Sequence, residues 1–67
     1  MEIKVKYRDE IKFLKFDKDR VKVIDILKAL KLSPDYAFIV KGDKILREEE
    51  IVDEMDDIEV ISAISGG

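Results

Sequence analysis

A chain of 67 residues with neither cysteine nor histidine excludes disulfides, iron–sulfur clusters and thiolate zinc sites, and it lacks the commonest metal ligand and general base. A chain this short forms one domain with a small core that packing alone must stabilise, so a self-contained catalytic centre is not expected. Its net charge of −3 is unevenly spread: residues 1–32 hold ten Lys or Arg against six Asp or Glu, and residues 33–67 hold three against ten. An acidic second half repels phosphate backbones and favours a basic protein surface as partner, so no nucleic-acid partner is expected.

The opening EIKVKY alternates, with Ile3, Val5 and Tyr7 on one side and Glu2, Lys4 and Lys6 on the other, which predicts a half-buried strand. Polar Arg8, Asp9 and Glu10 interrupt the alternation. IKFLKF, from Ile11 to Phe16, then resumes it as the second arm of a hairpin. From Arg20 to Leu32 the period changes. Val23, Ile26, Leu27 and Leu30 fall on one face of a predicted helix, while Lys22, Asp25, Lys28 and Lys31 project toward water. Asp17 or Asp19 is expected to cap its start, Asp25 to pair with Lys28, and Ser33-Pro34 to end it, because the residue before proline avoids helical geometry.

YAFIV is a continuous apolar run of strand length, as expected for an interior strand covered on both faces. KGDK predicts a turn, and the IL after it begins another short strand. The acidic stretch REEEIVDEMDD reads as a solvated face on a short helical turn, with Ile51, Val52 and Met55 inward. IEVISAI alternates Ile58, Val60, Ser62 and Ile64 against Glu59, Ile61 and Ala63, and it runs straight into Ser65-Gly66-Gly67.

A hairpin, a crossover helix and a strand parallel to the first make a right-handed connection. The expectation is an α+β, β-grasp (ubiquitin-like) domain: a mixed sheet of four to five strands with one helix across one face. The domain is expected over residues 1–63, with 64–67 an extended C-terminal tail. There is no leading basic-then-apolar segment and no run of membrane-spanning length, so a cytoplasmic protein with no membrane partner is expected.

Three stretches carry a resemblance to a family: VKVIDILKAL as its amphipathic helix, VKGDKILRE as its central hairpin, and DEMDDIEVISAISGG as a last strand entering Gly-Gly. Together they resemble the ubiquitin-like sulfur carriers, the group with thiamine-type (ThiS) and molybdopterin-type (MoaD) branches. Length and the AISGG ending lie nearer the thiamine type. The chain departs from the family pattern at Asp56-Asp57, where Gly-Asp often precedes the final strand.

The resemblance implies a carrier, not an enzyme. An ATP-using adenylating enzyme would activate the Gly67 carboxylate, and a sulfur donor would displace AMP to leave a thiocarboxylate. The sulfur would pass to an acceptor such as thiazole synthase, or serve molybdopterin synthesis or tRNA thiolation. The chain itself would bind no cofactor or metal. Delivery into a partner's tunnel suits Gly66 and Gly67, which have no Cβ and reach backbone angles closed to other residues. Ser65 and Ile64 would register the tail. Phe38, Val40, Ile61 and Ala63 are either core or an exposed docking patch on the face opposite the helix. The acidic run Glu48 to Glu59 would steer association. Two other functions fit the sequence: a protein modifier joined through Gly67 to lysines, and a β-grasp interaction module with an inert tail.

Overall fold

The computed structural model describes residues 1–63; residues 64–67, and with them Ile64, Ser65, Gly66 and Gly67, lie outside the described residues. Strands β1 (Glu2–Tyr7), β2 (Glu10–Lys15), β4 (Ala37–Lys41), β5 (Lys44–Leu46) and β7 (Ile58–Ser62) form one sheet in the order β2-β1-β7-β4-β5. β1 and β7 run parallel, and the other neighbours are antiparallel. A helix, α1 (Val23–Ala29), and a two-stranded ribbon of β3 (Val21–Lys22) and β6 (Ile51–Val52) complete the fold. This is the β-grasp arrangement.

The first hairpin closes through two residues, since Tyr7 pairs with Glu10. Arg8 and Asp9 both take positive φ, 53° and 65°, the signature of a type I′ turn whose twist matches the flanking strands. The hairpin β4–β5 closes through Gly42 and Asp43, with Gly42 at φ 62°. A Cβ there would meet nothing within 4 Å, so backbone conformation and not space favours glycine.

The helix is shorter than its period suggests. Val21 and Lys22 join the ribbon, where Val21 pairs with Val52 and both side chains are fully buried. Neither Asp17 nor Asp19 caps the start. The N-cap is Lys22, whose backbone N–H donates to Asp25 Oδ2 at 2.9 Å. The next two N–H groups, of Val23 and Ile24, donate to the carbonyls of Glu50 and Glu48, so a distant loop supplies partners for the helix start. Asp25 forms its ion pair with Lys18 at 2.9 Å, not with Lys28. The helix ends before Ser33-Pro34 is reached. Lys31 turns left-handed at φ 61°, with Leu32 N–H donating to Leu27 C=O and Lys31 N–H to Lys28 C=O, the Schellman pattern.

The acidic stretch forms turns and a strand, not a helical turn. Glu50 N–H donates to Arg47 C=O and Asp56 N–H to Asp53 C=O, at 3.1 and 3.0 Å. In each turn the carboxylate at the fourth position accepts the first residue's N–H: Arg47 to Glu50 at 2.6 Å, Asp53 to Asp56 at 2.9 Å. Asp56 thus holds a tight turn before the final strand without glycine. Of the three residues expected inward, only Val52 is buried; Ile51 and Met55 are 54% and 86% exposed.

The core lies between α1 and one sheet face. Ile3 and Val5 of β1, Ile39 of β4, and Ile58 and Val60 of β7 meet Val23, Ile26 and Leu27 there. Burying each such side chain contributes about 1.5–3 kcal/mol. The expectation that β4 is covered on both faces does not hold: Ala37 and Ile39 are buried, whereas Phe38 is exposed and Val40 half-buried on the face with no helix.

Candidate functional site at the end of the last strand

Period-2 alternation and register decide what the bare sheet face presents. Phe38 pairs with Ile61 and Val40 with Glu59 across β4 and β7, and Val40 pairs with Ile45 across β4 and β5. Directly opposed residues share a face, so Phe38, Val40, Ile45 and Ile61 stand on one face, with Glu59 opposite Val40 among them. Ile45 is 63% exposed and Phe38 36%.

Of the four docking residues read from the sequence, Phe38, Val40 and Ile61 therefore come together on this face. Ala63 is exposed just beyond β7, and its N–H donates to Tyr36 C=O at 2.7 Å. That bond fixes the last described residue, from which the chain continues toward Gly66 and Gly67. The tail residues Ile64, Ser65, Gly66 and Gly67 lie outside the described residues. Sequence reasoning missed Ile45. The signal was available: a two-residue turn at Gly42-Asp43 places Ile45 opposite Val40.

Ion pairs brace the other side of the sheet, where Lys41 stands opposite the buried Ile58 and Lys44 opposite Lys41. Lys41 Nζ meets Asp56 Oδ1 at 2.9 Å, tying the end of β4 to the turn before β7, and Lys44 lies 3.6 Å from Glu50. The backbone N–H of Asp53, and then Lys41, hold the Asp56 carboxyl below its ordinary range. The backbone N–H of Arg47, and then Lys44, do the same for Glu50. These two acids serve the fold. By contrast Glu48, Glu49 and Glu54 are exposed, and their side chains form no ion pair or hydrogen bond among the described residues. No group of three or more acidic side chains among the described residues is placed to hold a metal ion, and none of their helices is long and apolar enough to cross a membrane.

No protein-family model matches the chain. Sulfur carrier protein TtuB of Thermus thermophilus is 44% identical over 43 residues, which cover 64% of this chain and 66% of that protein. Over that stretch the chain is similar to a protein named a sulfur carrier. The match spans slightly less than two thirds of the relative's length. In this chain the β-grasp fold sets apolar residues of β4, β5 and β7 on the face without the helix, with Phe38 and Ile61 near the end of β7.

Proposed function

We propose that the protein is a sulfur carrier whose Gly67 carboxylate is adenylated by an ATP-using partner and then converted to a thiocarboxylate. The observation that carries this reading is the similarity to a protein named a sulfur carrier, joined to a last strand whose sequence continues into Ser65-Gly66-Gly67. A carboxylate resists nucleophiles because of its negative charge. Joining it to the α-phosphate of ATP, with loss of pyrophosphate, creates a mixed anhydride with AMP as leaving group. Attack on the carbonyl carbon by sulfide from the donor forms the C–S bond as the C–O bond to AMP breaks, which leaves a thiocarboxylate.

The chain's own contribution is positional. Gly66 and Gly67 give a narrow end for the partner's tunnel, Ser65 and Ile64 set its register, and Phe38, Val40, Ile61 and Ala63 dock the body, with Ile45 extending that face. No residue here acts as acid or base, and the partner supplies ATP binding. The acceptor is a synthase such as thiazole synthase, or the sulfur serves molybdopterin synthesis or tRNA thiolation.

Incubation with ATP, an activating enzyme and a sulfur donor, followed by intact mass measurement, tests the reading. Replacement of one oxygen by sulfur on the C-terminal peptide is expected. Reductant-resistant conjugates to lysines, with no such replacement, would establish the protein modifier instead.

A further inference from the structure

β2 and β5 are the two edges of the sheet, and β2 is the longer. β2 is the outermost strand beside β1. Met1 and Phe16 exchange both backbone hydrogen bonds, at 2.7 and 2.8 Å. In an antiparallel ladder such pairs alternate with pairs that make none. With the register Glu2 to Lys15 through Tyr7 to Glu10, the bonded members of β2 are Leu14, Lys12 and Glu10. The backbone N–H and C=O groups of Ile11, Phe13 and Lys15 therefore point away from β1, along the open edge.

The same three residues place their side chains on the sheet face with no helix. Ile11 is 52% exposed and Phe13 61%. An edge with unpaired backbone and large apolar side chains is a template for pairing, which proteins ordinarily blunt with proline, bulges or charge. This edge has neither proline nor bulge between residues 10 and 15. Two of the nearby lysines are left over: Lys12 meets Glu10 at 3.8 Å, whereas Lys15, opposite Glu2, and Lys6, opposite Glu59, form no ion pair among the described residues.

We propose that the β2 edge binds an extended, acidic segment of a partner protein as an added strand, its backbone bonded to Ile11, Phe13 and Lys15, its apolar side chains over Ile11 and Phe13, and its carboxylates toward Lys6 and Lys15. A second copy of the chain fits less well. The self-pairing that meets all three outward residues centres on Phe13, and it brings four lysines together with no acid in the paired stretch. β1 separates β2 from β7, so the added strand lies well away from the last strand, each strand-to-strand step being about 4.8 Å. The Phe38–Ile61 group stays free, and this contact is independent of the sulfur-carrier reading.

The test is amide exchange by NMR on the intact protein, alone and with short peptides alternating Glu and Val or Lys and Val. Alone, the Ile11, Phe13 and Lys15 amides exchange fast while those of Lys12, Leu14 and Phe16 are protected. The Glu/Val peptide slows the outward three about tenfold, the Lys/Val peptide leaves them unchanged, and Lys15→Glu weakens the acidic peptide several-fold without altering protection of Lys12 and Leu14. Protection of the outward amides in the free monomer, no effect of the Glu/Val peptide on them, or shifts confined to Phe38 and Ile61 would overturn the proposal. So would sedimentation showing that the free protein dimerises through these amides.

Discussion

Phe38 on β4 stands directly opposite Ile61 on β7, on the face the helix leaves bare. Both are apolar at positions where an antiparallel sheet ordinarily turns polar residues to water. If this pair docks the activating partner, Phe38→Ala should slow activation of Gly67 about 30-fold, the effect of a hot-spot residue worth about 2 kcal/mol. Because Phe38 is already 36% exposed, stability should fall by only about 1 kcal/mol. Activation rate measured beside a urea midpoint separates the two effects.

Val52 tests the corrected reading of the acidic stretch. It sits on a strand of two residues, yet it is fully buried against the core and pairs with Val21. Val52→Ala should cost about 2 kcal/mol. Ile51→Ala and Met55→Ala, at exposed positions, should stay within about 0.5 kcal/mol. Equal losses at all three in urea titrations would restore the inward-facing helical turn.

Much of the sheet was legible because its rule is local. Alternation in EIKVKY gives β1 and its buried face, and the same parity in IEVISAI puts Ile58 and Val60 inward. The helix ends were less legible, since what shortens α1 is remote: Val21 is drawn into a ribbon by Val52, and the carbonyls of Glu48 and Glu50 take the first N–H groups. No periodicity within residues 20–32 encodes such partners. For the candidate site, Phe38, Val40 and Ile61 could be named from their apolar character, but whether they were core or surface depended on sheet order. With one helix among the described residues, one face is covered.

Lys31 occupies the left-handed position that ends α1, at φ 61°. A side chain there costs about 1–2 kcal/mol relative to ordinary backbone, and glycine removes the clash. Lys31→Gly should therefore raise stability by roughly 1 kcal/mol, discounted for the extra freedom of the unfolded chain. Thermal unfolding at neutral pH reads the shift.

Acid should unfold the protein through three equivalent contacts. Asp25, Glu50 and Asp56 each accept the backbone N–H of the residue three before, Lys22, Arg47 and Asp53. Those bonds are the largest cause holding each carboxyl below its ordinary value. A carboxylate whose folded pKa is depressed contributes stability that is fully present above its unfolded pKa, about 4, and is lost as pH falls through the lower folded value. With no histidine to titrate between about pH 5 and 8, the urea midpoint should be flat there and drop below about pH 4. Asp25→Asn and Asp56→Asn should lower the neutral plateau and flatten the acid limb.

The acidic run divides into acids that fold and acids left over. Glu50 and Asp56 close turns and meet Lys44 and Lys41, so reversing their charge would disturb the fold along with any partner. Glu48, Glu49 and Glu54 are exposed, with side chains that engage nothing among the described residues. Steering by a surface field acts on association rate and fades with salt over a Debye length of about 10 Å at about 0.1 M. The triple change Glu48→Lys, Glu49→Lys, Glu54→Lys should therefore slow association with a basic activating enzyme about tenfold or more at low salt. Dissociation and the urea midpoint should stay nearly unchanged, and the difference should shrink as salt rises. Stopped-flow association rates across a salt series measure it. A rate equal to that of the parent protein at every salt concentration would remove electrostatic steering and leave the apolar face of Phe38, Val40, Ile45 and Ile61 as the whole basis of docking.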